Sequence, residues 1–64
     1  MAASTTLINT FEGPKGKADV FEVIQEVDGR DQVEYAVHFG AEHHTVPSMG
    51  EAVILAEELS GETS

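Results

Sequence analysis

The sequence predicts an α+β domain: an antiparallel sheet of three to four strands in meander order, then one C-terminal α-helix packed on one sheet face (ββββα). Two observations lead there. Between Thr5 and Val46, apolar and polar residues alternate in short runs separated by Gly- or Pro-bearing turns, which is the pleated period of two. From Ser48 to Gly61 the apolar spacing becomes helical, with a capping residue at one end and a glycine at the other. A half-apolar sheet and an amphipathic helix each need a face to cover, and a two-layer arrangement satisfies both.

The first strand is expected at Thr5–Glu12, TTLINTFE, with Leu7 and Phe11 on one face and Ile8 and Thr10 on the other. GPKGK, from Gly13 to Lys17, reads as a turn. It is not a phosphate-binding loop of the Walker type, which needs a wider glycine spacing and Ser or Thr directly after the Lys; here Ala18 and Asp19 follow Lys17. The second strand, Ala18–Val27, is expected to turn Phe21, Val23 and Val27 inward and Val20, Glu22, Ile24 and Glu26 outward. Asp28-Gly29 is a strong hairpin signal. The third strand, Val33–Phe39, alternates cleanly, with Val33, Tyr35, Val37 and Phe39 inward and Glu34, Ala36 and His38 outward. A short fourth strand around HHTV ends at Pro47, and a two-residue turn at Gly40-Ala41 or Ala41-Glu42 sets Val46 on the face of Tyr35 and Val37.

Ser48 is a natural helix N-cap, and Glu51 three residues later fits a capping box. Gly61 is placed to end the helix. At 100° per residue, Met49, Ala52, Val53, Leu55, Ala56 and Leu59 gather on the sheet-facing side. Glu51, Glu58 and Ile54 lie roughly opposite, with Glu57 on the flank. An isoleucine among carboxylates has two readings: a contact for a partner, or a core residue that the helix rolls under a sheet edge.

The 64 residues make a single domain, 1–64, with residues 1–4 and 62–64 expected to fray. A chain this short buries only about 60% of the surface its unfolded form exposes, so the core is thin. There are no cysteines, hence no disulfide or thiolate-zinc reinforcement. Their absence fits a reducing compartment, and MAASTTLINTF has neither the basic residues nor the apolar run of a signal peptide or membrane span. A cytoplasmic protein is expected.

Charge is the dominant compositional feature. Twelve Asp and Glu against three Lys and Arg give 3 − 12 = −9 at neutral pH. Phosphate backbones and anionic membranes would repel such a chain, so direct binding to nucleic acid or a membrane is not expected. No nucleophile, base and oxyanion constellation can be assembled, which argues against an enzyme, and no cofactor is implied. His38 and His43 would stand opposite each other across the Gly40-Ala41 turn, with Glu42 adjacent, and they are the weak candidates for metal binding. Two imidazoles and one carboxylate from a hairpin leave that ligand set incomplete.

The remaining candidates are surfaces. Glu22, Glu26 and Glu34 are expected on the sheet face that the helix leaves open, with Asp28 and Asp31 at the turn and Glu51, Glu57 and Glu58 on the helix. Ile24, Val20 and Ile54 would be apolar anchors within that acidic rim, the composition of a protein-binding site. The chain resembles the small, strongly acidic, cysteine-free inhibitors that phages and mobile elements encode, among them anti-CRISPR proteins that imitate DNA. The resemblance is one of size, charge and compactness, carried by Glu22, Glu26, Asp28, Asp31, Glu34, Glu51, Glu57 and Glu58. It implies a non-catalytic inhibitor that occupies the basic nucleic-acid-binding surface of a larger protein, in the cytoplasm of the host cell. Two further readings are an assembly adaptor for a host enzyme and a structural homo-oligomer or homodimer.

Overall fold

The computed structural model describes residues 3–62 and has the expected order ββββα. Strands β1 (Ala3–Gly13), β2 (Gly16–Val27), β3 (Arg30–Phe39) and β4 (Glu42–Val46) form one antiparallel sheet in sequence order, and helix α1 (Met49–Ser60) packs on it. Met1, Ala2, Thr63 and Ser64, expected to fray, lie outside the described residues. Ala3 and Ser4, expected to fray with them, instead pair with Gln25 and Ile24. Among the described residues no helix is long and apolar enough to cross a membrane.

All three hairpins turn in two residues, since Gly13 pairs with Gly16, Val27 with Arg30 and Phe39 with Glu42. At Asp28 and Gly29 both φ angles are positive, 52° and 76°. This is the mirror-image turn whose twist suits a hairpin, and it explains why Asp-Gly occurs there. Ser48 caps the helix, its Oγ accepting from the Glu51 N–H at 3.3 Å. Gly61 ends it in the left-handed region, its N–H donating to the Glu57 carbonyl at 2.9 Å.

Helix and sheet meet through Ala52, Ala56 and Ser60 on one side and Ala18, Val20 and Val37 on the other, all fully buried. Ile8, Phe11, Tyr35, Phe39, Val46, Leu55 and Leu59 close the rim of this core. Alanines at spacing i, i+4 present a low ridge, which lets the helix axis approach the sheet closely. Met49, expected on the buried side, is 41% exposed in the first turn.

β2 faces the opposite way from expectation, and in β1 Leu7 and Ile8 do so, while Phe11 and Thr10 lie as expected. Residues directly opposed in a sheet share a face, and Val20 opposes Val37 while Ile24 opposes Val33. Val20 is therefore core, and Glu22, Ile24 and Glu26 lie on the helix-bearing side, whereas Phe21, Val23 and Val27 occupy the open face. β2 is apolar on both faces, so its alternation did not fix its orientation; the pairing with β3 does. In β1 a bulge between Leu7 and Asn9 interrupts the alternation. The extra residue lets Ile8 and Phe11 both reach the core while Leu7, opposite Phe21, turns to the open face.

The helix covers only part of the sheet. Twelve helical residues span about 18 Å, whereas the longest dimension of the molecule is 42 Å. The Lys15 N–H donates to the Ser60 carbonyl at 2.9 Å, tying the helix C-terminus to the β1–β2 turn. The helix consequently overlies the half of the sheet that contains this turn. The β2–β3 hairpin projects beyond it as an uncovered arm, where Val27 and Val33 are 40% and 43% exposed.

Candidate binding surfaces

The register divides the charges between two unlike sides. On the helix-bearing side the strands contribute Glu22, Glu26, Asp31 and Glu42, and the helix contributes Glu51, Glu57 and Glu58; neither contributes Lys or Arg to this side. The open face carries Glu12, Asp19 and Glu34 against Lys17 and Arg30, a formal balance of 2 − 3 = −1. The acidic open face expected from sequence is thus corrected: of Glu22, Glu26 and Glu34, only Glu34 lies there, together with Glu12 of β1. Glu22, Ile24 and Glu26 join the helix carboxylates on the other side, with Asp28 at the tip of the arm.

Two apolar spots stand within this acidic side. Ile54 is 58% exposed, with Glu51, Glu57 and Glu58 at the positions three or four residues away that neighbour it on a helix. Its reading as a core residue rolled under a sheet edge is excluded by that exposure. On the arm, Ile24 and Val33 form a cross-strand pair flanked by Glu22 and by the opposed pair Glu26 and Asp31. Val20, the third expected anchor, is fully buried and drops out.

Several of these carboxylates stand where they weaken the fold. Glu26 directly opposes Asp31, and like charges across a strand pair are unfavourable. Glu57 and Glu58 lie near the helix C-terminus, the negative end of its dipole; the last turn has no basic residue of its own, and Lys15 of the β1–β2 turn is the cation seated at that end.

The histidines take the expected positions. His38 opposes His43 on the open face, and their rings stack with centroids 4.2 Å apart and an interplanar angle of 12°. Phe21 extends the row, its ring centroid 4.7 Å from that of His38. Glu42 is not part of it: it projects to the other side, where its Oε1 lies 3.4 Å from His44 Nε2. Among the described residues no group of three or more His, Asp and Glu is placed to hold a metal ion. Asp19, beside His38 across the strands, accepts from the Thr10 hydroxyl at 3.1 Å.

Comparison of the chain with protein-family models, with curated proteins and with solved structures finds no match.

Proposed function

We propose that the chain is a non-catalytic, acidic protein-binding module, an inhibitor that presents its helix-bearing side to the basic, nucleic-acid-binding surface of a larger protein. The observation that supports this reading is the concentration of seven strand and helix carboxylates, with no strand or helix cation, around exposed Ile54 and the Ile24–Val33 pair. The repulsion between opposed Glu26 and Asp31 is a cost that a cation supplied by a basic partner would relieve. In this reading the carboxylates steer the encounter, and the two apolar spots hold the complex once water has left. A field of fixed negative charge can stand in for a phosphate backbone, which is how such a module would exclude nucleic acid from its partner.

The test begins with a photocrosslinking residue at position 54, with position 21 on the open face as control, followed by mass spectrometry of the crosslinked protein in the native cell. Surface-plasmon kinetics against that partner then compare wild type with the triple reversal Glu22→Lys, Glu26→Lys, Asp31→Lys. Association should slow in the triple variant, and in wild type it should slow as salt rises, because screening shortens the reach of the field to about 10 Å at 0.1 M. An unchanged association rate, insensitive to salt, would exclude mimicry and leave an uncharged adaptor contact.

A further inference from the structure

We propose that the open sheet face is a self-association surface: a second copy of this chain packs on it face to face, giving a two-fold sheet sandwich with both helices outside. Its composition is the first reason. The central row Leu7, Phe21 and Ala36 is apolar, Val23 lies beside it, and the stacked pair His38–His43 borders it. Leu7, on the edge strand, is 54% exposed although Phe21, the residue opposite it, is apolar.

Charge selects the occupant. A formal balance of −1 gives a basic partner little to recognise on this face, while the acid is gathered on the opposite side. Two copies stacked here oppose two nearly neutral surfaces and keep their acidic sides pointing away from each other. Of the carboxylates on this face, Asp19 already accepts from Thr10, Glu12 stands opposite Lys17 at the turn, and Glu34 stands opposite Val23, one step toward the arm from the Leu7–Phe21–Ala36 row.

Shape and area agree. The radius of gyration is 12.4 Å, whereas a compact chain of this length has about 10.7 Å. The accessible surface is 4299 Å², against about 3,950 Å² for a monomer of this mass. The extents 42 × 20 Å bound the footprint of the whole molecule at roughly 840 Å², so a copy stacked on this face can contribute at most about the ~800 Å² of a standard interface. Stacked sheets separated by about 10 Å would interdigitate Leu7, Phe21 and Val23 with their symmetry mates. The pairing uses the side opposite to the one proposed for a basic partner, so neither assignment depends on the other.

Sedimentation equilibrium of the full chain, run across a concentration series, is the test. Wild type should approach twice the 6.8 kDa chain mass. Phe21→Lys and Val23→Lys should each raise the dimer dissociation constant about 30-fold or more, as expected for a central apolar anchor. Ile54→Asp, on the other side, should leave it unchanged. A second measurement holds even if a lysine variant fails to fold: on dilution of wild type, NMR shifts should move at Leu7, Phe21, Val23 and Ala36. A single 6.8 kDa species up to millimolar concentration would overturn the proposal. So would a dimer that persists in both lysine variants, or dilution shifts confined to the outer edge of β1 or to the helix.

Discussion

Replacing Gly13 with Ala should destabilise this domain far more than its size suggests. A Cβ at Gly13 would stand 2.4 Å from the Ser60 carbonyl oxygen and 2.7 Å from the Glu62 nitrogen. Both are backbone atoms, so no side chain can swing aside. Ordinary contact begins at 3.4 Å, so the turn and the helix end must part by 3.4 − 2.4 = 1.0 Å. The hydrogen bond from the Lys15 N–H to the Ser60 carbonyl, now 2.9 Å, cannot survive that separation. Its loss at a buried residue costs about 1–3 kcal/mol, and the strain of overpacking adds about 1–3 kcal/mol. The lower entropy of an unfolded Ala returns about 0.4–1 kcal/mol. A net destabilisation of about 1–5 kcal/mol remains, which for a domain of this length lowers Tm by at least about 4 °C. Thermal and urea melts followed by circular dichroism measure it directly. Gly50→Ala is the control: no atom lies within 4 Å of its Cβ position, and a helical Ala should stabilise by about 0.5–1 kcal/mol. If Gly13→Ala melts with wild type, the β1–β2 turn is not seated against the helix end, and the account of how the helix is anchored is wrong.

Three further outcomes are expected. Ser48→Ala removes the acceptor for the Glu51 N–H and should cost about 1 kcal/mol, lowering Tm by about 4–8 °C in the same melts; an unshifted curve would place the helix start elsewhere. Ile54→Asp should cost no more than about 1.5 kcal/mol, the repulsion of Glu51, Glu57 and Glu58 at about 0.2–0.5 kcal/mol each on a residue 58% exposed, while speeding dissociation from the crosslinked partner; a larger loss of stability without a kinetic effect would return Ile54 to a structural role. Calorimetric titration with zinc should reveal no affinity tighter than about micromolar, because the His38–His43 pair lacks further ligands. Stoichiometric, tighter binding that vanishes in a His38→Ala, His43→Ala variant would establish a site there.

The fold was legible wherever one signal stood unopposed. β3 alternates without ambiguity, Asp28-Gly29 permits one tight turn, and Ser48 with Gly61 brackets the helix, so the four-strand meander and its helix could be read directly. The face of β2 could not be read from its own pattern, because Val20 and Ile24 compete with Phe21, Val23 and Val27. The signal was nonetheless present in combination. A two-residue turn pairs odd-numbered residues of β3 with even-numbered residues of β2, so the clean β3 pattern already assigned Val20 to the core. No comparable signal marked the β1 bulge, since only the packed core decides that Ile8 and Phe11 both turn inward. Those two steps decided the candidate site. They moved Glu22, Ile24 and Glu26 to the helix-bearing side and gave Leu7, Phe21 and Val23 to the open face.

The sheet ends in open edges, and this has a consequence for how the protein survives at high concentration. β1 presents an outer edge of eleven residues bearing a single formal charge, Glu12. β3 is also unpaired from Arg30 to Glu34, because β4 pairs no further along it than Tyr35, but this shorter stretch carries Arg30, Asp31 and Glu34. Unsatisfied N–H and C=O groups along such edges are templates for lateral growth into aggregates. The bulge at Ile8 and Asn9 bends the longer edge and spoils its fit to another strand, while the net charge of −9 keeps approaching chains apart. That second safeguard is conditional. Salt, polyamines or acidification weaken it, and under those conditions the bulge alone opposes fibrillar assembly.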